Sequence, residues 1–411
     1  AGGLEALSQL FPNLPKDLGL TYVVVQHLSP TYRSMMAQLL SRETTMLVSD
    51  IEDGTKPEPN TVYITPPNRN ITLSGGCFRL VVPAKESLPK PSVNLFFASL
   101  AEEAAESCIG IILSGTGSDG AHGIHAIKAA GGFTFSQDPG TAKYNGMPQS
   151  AIDTGSVDWI LPPENMGNEI ALIVQNHGRI PMATQAANAP ATLKTLLARV
   201  RGRTKVDFSQ YKEPTLWRRI ERRMAANHVG TLPDYLALAD EHPAELDKLC
   251  KDILISVTSF FRDTEAFAGL EKVVTSIIAS KQLGEDIRIW VAGCATGEEA
   301  YSLAIVFREV QQQMNPPGRF TLQIFATDLD PDAIEKARQG FYPANIATDV
   351  SAERLQRYFI ECDNGYRVGK EIREMVVFAT HNLIMDPPFT KLDILTCRNL
   401  LIYFDAELQK K

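Results

Sequence analysis

The sequence has little of what marks secreted, membrane-spanning or nucleic-acid-coating proteins. Six cysteines are spread over 411 residues without a C-x-x-C pair, which excludes a small disulfide framework and predicts reduced thiols. No apolar run reaches the length of a membrane span, and no signal peptide opens the chain. The net charge of −8 disfavours a protein that coats nucleic acid. We therefore expect a cytoplasmic protein without a metal site.

The length and the first residues indicate how the chain is organised. At 411 residues, with 44% hydrophobic and 21% charged residues, the chain is long enough for two or three globular domains. It begins at Ala1 without an initiator methionine and runs at once into a helix-like stretch. We therefore expect a piece of a longer protein.

The stretch from Ile287 to Tyr301 predicts a buried strand, a glycine-bearing turn and the start of a helix. Gly293 and Gly297 let the backbone turn sharply near a ligand, and the free N–H groups of the following helix favour an anionic group. A second predicted strand ends at Asp328, which could accept hydrogen bonds from both hydroxyls of a ribose. Together they predict a nucleotide-like cofactor at the carboxyl ends of a doubly wound sheet.

The first part of the chain alternates apolar runs with helix-like segments. Residues 20–26, 61–65 and 108–114 read as buried strands, and residues 71–82 have the alternation and Gly-Gly turn of a hairpin. Strands that alternate with helices predict a mostly parallel α/β sheet over about the first 174 residues.

Two side chains follow the predicted strands of this part. His27 comes after the first strand, and Asp119 lies in a glycine-rich turn after the third. Each alone is more often structural, but a His and an Asp at the carboxyl ends of neighbouring strands are two members of a hydrolase triad. A serine to complete it is not evident, because Ser29 is too close to His27 along the chain and Ser114 and Ser118 lie in the turn of Asp119.

Four motifs, AGGLEAL, VVVQHLSP, ILSGTGSDGAHGI and NGMPQSAI, resemble the catalytic domain of the chemotaxis receptor methylesterase, CheB. The resemblance implies that His27 is the base, that Asp119 is the triad acid, and that the loop of residues 146–148 borders the site. The family's nucleophile belongs to a Gly-Ala-Ser-x-Gly-Gly turn in which Ala1 matches x. We therefore expect the serine just before Ala1, a domain truncated at its start and no esterase activity from this piece. Thr116 stands where the best-known members have Met.

A linker and a basic segment follow. Residues 176–195 lose apolar periodicity and are rich in Ala, Pro, Thr and Asn, which predicts a linker. Arg199 to Arg223 then carries six more basic than acidic residues, which fits either a solvated helix face or a docking surface for an acidic protein. Nucleic acid is disfavoured, because Phe208, Tyr211 and Trp217 have the helical spacing of a core stripe. The basic residues are Arg199, Arg201, Arg203, Lys205, Lys212, Arg218, Arg219, Arg222 and Arg223.

The second part of the chain resembles the chemotaxis receptor methyltransferase, CheR. The motifs YKEPTLWRRIERRM, SVTSFFRD, GCATGEEAYS, ATDLD, THNL and CRNLLIYF occur in that family's order. The resemblance implies S-adenosylmethionine as cofactor and S-adenosylhomocysteine as product, and it aligns Tyr403 with the tyrosine beside the transferred methyl group. The implied cofactor contacts are Ser256, Thr258, Arg262, Glu299, Asp328, Asn382, Leu383, Asn399 and Leu400.

These residue types suit the chemistry that the resemblance implies. Arg262 can hold the cofactor's carboxylate and would be catalytic together with Tyr403 by positioning. A glutamate acceptor is already ionised near neutral pH, so methyl transfer needs no strong general base. Asp386-Pro387-Pro388-Phe389 resembles the motif of amino-group methyltransferases, but there the motif ends a core strand, whereas here the best strand follows it. An amino-group methyltransferase is therefore a minor alternative.

The expected architecture is α/β throughout, with an all-helical insert. We expect a methylesterase-type, mostly parallel α/β domain over residues 1–175, a linker over 176–195, a basic helical domain over 196–270 and a Rossmann-like methyltransferase domain over 271–411, truncated at its end, with a last strand near Leu400 to Tyr403. The expected function is a bifunctional signalling protein that adds methyl esters to protein glutamates and would remove them. The acceptor would be an acidic, chemoreceptor-like protein. The alternative is a regulatory or binding module in which one or both halves are catalytically silent.

Overall fold

A computed structural model of the chain describes residues 3–27, 36–82, 91–177, 189–254, 258–281, 285–313, 321–362 and 365–410. The chain divides into two compact units. Unit 1 comprises Ala1–Ser209 and Glu213–Ile253, and unit 2 comprises Gln210–Lys212 and Leu254–Lys411. In the part of the chain that the model describes, we find no helix with the length and apolar character to cross a bilayer.

Unit 1 begins with the predicted mostly parallel strands. Its strands are β1 (Tyr22–Val24), β2 (Leu47–Asp50), β3 (Thr61–Ile64), β4 (Asn70–Ser74), β5 (Cys77–Val81), β6 (Ile109–Ile112), β7 (Phe133–Gln137) and β8 (Trp159–Leu161). Two three-stranded parallel sheets have the orders β1-β3-β2 and β6-β7-β8, and β4 and β5 form the predicted antiparallel hairpin. The central strand β7 is buried at every residue, which is typical of a parallel strand covered on both faces.

Helices cover these sheets and then form a separate helical segment within unit 1. They are α1 (Gly3–Leu10), α2 (Met36–Glu43), α3 (Val93–Ala104), α4 (Ala121–Ala130), α5 (Gly146–Asp153), α6 (Pro163–His177), α7 (Ala189–Thr204), α8 (Glu213–Ala226), α9 (Leu232–Glu241) and α10 (Ala244–Ile253). Ala225 of α8 is buried in the same apolar cluster as Phe133, Met166 and Ile170, so the helical segment shares a core with the α/β part. Most of the predicted linker lies outside the described residues.

Unit 2 contains a four-stranded parallel sheet and a small antiparallel sheet. Its strands are β9 (Asp286–Ala292), β10 (Thr321–Asp328), β11 (Phe341–Pro343), β12 (Phe359–Cys362), β13 (Gly365–Val368), β14 (Val376–Thr380) and β15 (Ile394–Thr396). The parallel sheet has the order β14-β10-β9-β15 and the antiparallel sheet the order β11-β13-β12. Ile287, Ile289, Trp290 and Val291 are all buried, as the strand prediction for this stretch required.

Unit 2 also contains α-helices. They are α11 (Thr264–Ser280), α12 (Glu298–Gln313), α13 (Pro331–Gln339), α14 (Ala352–Tyr358) and α15 (Lys370–Arg373). Asp330 caps α13 by accepting a hydrogen bond from the N–H of Asp332. The strand predicted near Leu400 to Tyr403 is wrong, because Leu401–Tyr403 form one turn of 3-10 helix, in which the N–H of Tyr403 bonds the carbonyl of Leu400.

Candidate active sites

The first candidate site, in unit 1, is built on a direct His–Asp contact. His27 follows β1, Asp119 follows β6, and the His27 Nε2 atom lies 2.8 Å from Asp119 Oδ2. The carboxylate side chain is only 4% exposed, whereas the imidazole is 30% exposed. A buried acid bonded to an accessible histidine is the arrangement that orients a general base. The structure thus brings together the two residues that the sequence singled out.

The backbone around Asp119 fixes this carboxylate in place. Oδ2 accepts the N–H of Val93 at 2.7 Å, and Oδ1 accepts the N–H of Asn94 at 3.0 Å, at the start of α3. Ser92, the N-cap of α3, adds its hydroxyl at 3.4 Å. Unpaired N–H groups and the dipole at a helix start favour negative charge. Asp119 is therefore held as an acceptor that orients His27.

The contact also assigns the two nitrogens of His27. In a neutral imidazole one nitrogen donates and the other accepts. Because Nε2 faces a carboxylate, which accepts hydrogen bonds only, the Nε2 atom carries the proton and Nδ1 is the acceptor. Nδ1 is then the atom that can take a proton from a nucleophile.

The predicted neighbouring loop lies against the turn that carries Asp119. The N–H of Met147 donates to the carbonyl of Gly115 at 2.9 Å, and the N–H of Gly115 donates to the carbonyl of Tyr144 at 3.0 Å. A Cβ atom on Gly115 would lie 2.3 Å from the Met147 sulfur, so a larger residue there would require the Met147 side chain to move. Thr116 is exposed beside this contact.

Two serines that the sequence offered as alternatives can be placed. Ser114 is buried, and its hydroxyl accepts the N–H of Tyr144, so its role is to hold the loop that contains Tyr144. Ser118 is half-buried in the same turn. Ser29 lies outside the described residues. Gly3, at the start of α1, lies beside the Gln26 side chain and the Ser114 carbonyl, because a Cβ there would be 3.4 Å and 3.7 Å from them. The start of α1 therefore lies at the same sheet edge as His27.

The second candidate site, in unit 2, lies at the carboxyl edge of the parallel sheet. Asp328 ends β10, and its Oδ2 atom accepts the N–H of Ala295, which follows β9, at 2.8 Å. Its Oδ1 atom accepts the N–H of Asp330 at 3.0 Å, and its backbone carbonyl accepts the N–H of His381 after β14. Burial raises the pKa of Asp328 above its ordinary value, and these N–H groups oppose that rise. A carboxylate with about four acceptor positions and two backbone donors keeps capacity for ligand hydroxyls.

The two predicted ligand glycines have different surroundings. Gly293 has φ 72°, and a Cβ on it would lie 3.0 Å from the side chain of Leu400, so the structure brings these two predicted contacts together. Gly297 has φ 95° and is buried, and its Cβ would lie within 3.0 Å of Ala337 and Phe378. Gly297 therefore serves the packing of α13 and β14 against the turn.

A charged cluster joins two further predicted contacts through a residue that the sequence reasoning missed. Arg398, after β15, donates to the backbone carbonyl of Arg262 at 2.8 Å and to the carboxylate of Asp263, and its Nη1 lies 3.5 Å from Glu299 Oε2. Burial raises the pKa of Glu299, and the charges of Arg398 and Arg262 oppose that rise. The sequence did indicate Arg398, because it is the basic residue of CRNLL that directly precedes the predicted contacts Asn399 and Leu400.

The remaining predicted contacts follow β14 and β15 or precede α11. Asn382 accepts the N–H of Ile384 with its side-chain oxygen at 3.0 Å, which shapes the turn that includes Leu383. Tyr403 is half-buried, and its carbonyl accepts the N–H of Lys212 at 2.9 Å. Thr258 is half-buried in the segment before Arg262. Ser256 lies outside the described residues.

The Asp-Pro-Pro-Phe segment has a structural role in the loop between β14 and β15. The ring of Phe389 stacks on Phe325 with centroids 4.7 Å apart and contacts Trp290 and His381 edge-on or tilted. The motif therefore does not end a core strand, whereas the corresponding motif of amino-group methyltransferases does.

The basic segment from Arg199 to Arg223, predicted as a solvated helix face or a docking surface, is partly buried. Arg219, Arg222 and Arg223 are 1%, 2% and 8% exposed within unit 1. Arg222 binds the carboxylates of Asp158 and Asp252, and the other two bind carbonyls or a carboxylate. Three further arginines are exposed but pair with acids of unit 1, in the contacts Arg199–Asp240, Arg201–Asp207 and Arg203–Asp247. Most of the positively charged side chains of this segment thus have partners within unit 1.

Comparison with protein families assigns the domains that contain the two candidate sites. The sequence model of CheB methylesterase matches residues 1–170, that of the all-alpha domain of CheR methyltransferase matches residues 191–254, and that of the SAM binding domain of CheR methyltransferase matches residues 256–411. A putative protein-glutamate methylesterase/protein-glutamine glutaminase of Leptospira interrogans is 31% identical over 43% of this chain and 92% of its own length. A chemotaxis protein methyltransferase of Listeria monocytogenes is 31% identical over 49% of this chain and 74% of its own.

The chain belongs to both the CheB methylesterase and the CheR methyltransferase families. The two resemblances inferred from the motifs, and the order of the two domains, are thereby confirmed. The SAM binding domain identifies S-adenosylmethionine as the methyl donor, and unit 1 joins the methylesterase domain to the all-alpha domain of the methyltransferase.

A longer relative matches most of this chain. A Rhodobacter capsulatus protein, named an uncharacterized 104.1 kDa protein in the hypE 3' region, is 40% identical over 401 residues. The match covers 92% of this chain and 42% of the relative. The chain thus spans less than half the length of that protein.

The methyltransferase domain contains a half-buried acid whose titration links stability to pH. Burial raises the pKa of Glu298, at the start of α12, from 4.5 to about 7, against the hydrogen bonds from the Thr296 hydroxyl that lower it. The folded state then holds a proton that the unfolded state releases, so stability falls as pH rises from 4.5 to about 7. We expect Glu298→Gln to remove this loss, which amounts to about 3 kcal/mol, and to raise the melting temperature at pH 8 but hardly at pH 5.

Thermal unfolding at the two pH values checks this prediction. S-adenosylhomocysteine should shift the transition that belongs to the methyltransferase domain, which identifies the one to compare. Glu271→Gln is the matched control, since Glu271 is exposed in the middle of α11. Equal effects of Glu298→Gln at pH 5 and pH 8 would contradict the shifted titration.

Proposed function

We propose that the methyltransferase domain esterifies glutamate side chains of an acidic protein with the methyl group of S-adenosylmethionine. In this reaction a carboxylate oxygen attacks the methyl carbon, the carbon–sulfur bond breaks, and the two opposite charges disappear. No proton moves, so the domain must only hold the two reactants in line, for which positioning alone can contribute roughly 7 to 11 kcal/mol.

The observation that carries the proposal is the set of polar groups at the carboxyl edge of the β14-β10-β9-β15 sheet. Asp328 has acceptor capacity left for ribose hydroxyls, and Arg262, beside Glu299, supplies a cation for the amino-acid carboxylate. The left-handed Gly293 brings the backbone close to Leu400 at the same edge. These groups suit the ribose and amino-acid parts of the methyl donor.

The acceptor follows from the relatives and from the chemistry. The related Listeria protein is named for chemotaxis, which supports a chemoreceptor-type substrate for this domain. A substrate that presents several glutamates is acidic, so basic groups should attract it. Because the cations of Arg199 to Arg223 are largely matched inside unit 1, we do not assign the docking site to that segment.

For unit 1 we propose hydrolysis of the same glutamyl methyl esters. His27 would accept the proton of a serine hydroxyl on Nδ1 as the serine attacks the ester carbonyl, and would then donate it to the leaving methanol oxygen. Water would next attack the resulting glutamyl ester of the serine, with His27 taking a proton from the water and returning one to the serine oxygen, which releases the glutamate. Asp119 would stabilise the imidazolium that forms between these steps. The geometry that supports this role is the 2.8 Å contact between the two residues and the backbone donors that hold Asp119.

Substitution of Asp328 tests the cofactor site. We expect Asp328→Ala to weaken binding of S-adenosylhomocysteine by about 1 to 3 kcal/mol, or roughly 5- to 150-fold, because the ribose hydroxyls lose their buried acceptor. Asp330→Asn is the matched control, since it also removes an acidic charge at this turn but keeps an oxygen to cap α13. Calorimetric titration checks both variants, and similar affinities for Asp328→Ala and the unaltered chain would contradict the assignment.

A methyl-acceptor assay tests the reaction itself. We expect tritium from labelled S-adenosylmethionine to enter a receptor-type acceptor and to be released as methanol by mild alkali, because glutamyl methyl esters hydrolyse there and methylated amines do not. Alkali-stable label would instead support the amino-group alternative. Binding of the donor without any transfer would support a regulatory module.

A further inference from the structure

The backbone on both sides of Arg262 is strained. Phe261 has φ 51° and Asp263 has φ 63°, although neither is glycine. Side chains other than glycine rarely adopt this left-handed conformation, and such residues persist only where the surroundings hold them. The strain therefore singles out the turn that presents Arg262.

Two side chains hold this turn in place. The Ser302 hydroxyl of α12 accepts the N–H of Phe261 at 3.0 Å. On the other side, Arg398 Nη2 donates to the carbonyl of Arg262 at 2.8 Å and to the Asp263 carboxylate. The Arg398 guanidinium also lies over the ring of Phe267, 5.5 Å from its centroid. Arg398 thus contacts both Arg262 and Asp263 directly.

The same guanidinium reaches a third segment. Arg398 Nη1 lies 3.5 Å from Glu299 Oε2, in the first turn of α12. Its own neighbour Asn399 is also left-handed, with φ 58°. One side chain thus links the strained turn before α11, the start of α12 and the end of β15, each of which contributes a predicted cofactor contact.

We propose that Arg398 is a positioning residue that sets the place of Arg262 and Glu299 for the amino-acid part of the methyl donor. This inference rests on the proposed function, since it is the cofactor's carboxylate that Arg262 is to bind. The charge of Arg398 is matched by Asp263 and Glu299, so it acts through these neighbours. Removing it frees the strained turn to relax and displaces Arg262.

Two ligands that differ only in the amino-acid part test the proposal. S-adenosylhomocysteine has this part, whereas 5′-methylthioadenosine lacks it. Calorimetry on the full chain should show that Arg398→Met weakens S-adenosylhomocysteine binding by about 10- to 100-fold while methylthioadenosine binding stays within about twofold. Arg262→Met should behave alike, and the double variant should be no weaker than the weaker single variant, because both substitutions remove one interaction. Arg398→Lys, which keeps the charge but cannot bridge the same acceptors, should be intermediate.

The controls separate the possible failures. Arg308→Met removes an arginine of α12 that pairs with Glu371, and both affinities should be unchanged. Unaltered S-adenosylhomocysteine affinity in Arg398→Met, or an equal loss of both ligands, overturns the positioning role while the proposed function stands. If the unaltered chain binds neither ligand, the proposed function fails and this inference with it.

Discussion

Replacing His27 by alanine is expected to lower hydrolysis of glutamyl methyl ester by a factor on the order of a million, when the chain carries Gly-Ala-Ser ahead of Ala1. Removing the base of a serine hydrolase loses nearly all of the triad-dependent rate, since the hydroxyl then keeps its proton. His27 is the histidine bonded to a buried carboxylate at this sheet edge, where α1 also begins. Release of methanol from a methylated receptor peptide measures the rate.

Three further variants make this test specific. Alanine in place of the added serine should cost as much as His27→Ala, and combining the two should cost little more, because nucleophile and base act as one unit. Asp119→Asn should cost about 10⁴-fold, since the amide offers a donor where the Nε2 proton needs an acceptor. His242→Ala is the matched control, because His242 is exposed beside α9. Hydrolysis that survives His27→Ala would refute the site.

The sequence predicted which candidate site residues follow the ends of strands. His27 and Asp119 are 92 residues apart, yet each follows an apolar run that reads as a buried strand. These strands, β1 and β6, belong to two different three-stranded sheets, so the contact joins the carboxyl ends of strands from both sheets. Asp328 and the turn of Gly293 were found in the same way. The positions of the strand ends do not predict which atoms of the two side chains are in contact. The choice of Nε2 as the atom facing Asp119 appeared only in the structure.

Residues that act through side-chain contacts were harder to predict. Arg398 is joined to Arg262 and Glu299 by contacts that span 136 and 99 residues, and no local periodicity reports such a contact. Gly297 was assigned to a ligand because a glycine in a strand-to-helix turn suits both close approach and tight packing. Here the Phe378 ring and Ala337 give Gly297 a packing role, and its cofactor role stays a prediction. The two alternatives require the same residue type, so the sequence could not separate them.

The buried arginines of α8 are the largest departure from the sequence-based expectation. Charge counting treats each arginine as solvated, and burying a guanidinium is unfavourable unless acids accept its hydrogen bonds. For Arg222 those acids are Asp158 and Asp252, 64 and 30 residues away. Arg222 also donates Nε–H to the carbonyl of Gly132 at 3.1 Å and lies over the ring of Phe133. Arg222 is thus part of the core because acids far from it in the sequence pair with it.

Arg219 and Arg223 extend this network. Arg219 donates to the carbonyls of Lys128 and Ala129 in the last turn of α4, where helix carbonyls lack internal partners and carry partial negative charge. Arg223 forms two 2.7 Å contacts with Glu245, which also accepts the Tyr235 hydroxyl at 3.0 Å. The helical segment is thereby fixed to the methylesterase domain through paired charges. Burial alone would raise the pKa of Asp158, but Arg222 and Lys128 hold it below its ordinary value.

Arg222→Met is therefore expected to destabilise unit 1 by about 3 to 5 kcal/mol, because it leaves two buried carboxylates without their main partner. The α7–α10 segment and the methylesterase domain should unfold together in the unaltered chain, and this variant should lower the midpoint of that shared transition in urea. Adding Asp158→Asn to Arg222→Met should recover part of the lost stability, since it removes one of the unpaired charges. The stability of Arg222→Lys should lie between those of Arg222→Met and the unaltered chain, because its ammonium lacks the planar fork that reaches both acids.

Arg201→Met is the reference variant against which the loss of stability in Arg222→Met is compared. Its side chain is 63% exposed and pairs with Asp207 at 2.9 Å, so its removal should cost less than about 1 kcal/mol. Urea unfolding followed by fluorescence and by far-ultraviolet circular dichroism measures both variants, and the midpoints from the two probes should coincide if the unit unfolds cooperatively. Equal losses for Arg222→Met and Arg201→Met would mean that Arg222 is solvated in solution. The helical segment would then present its basic face outward, and that face would again be available to an acidic substrate.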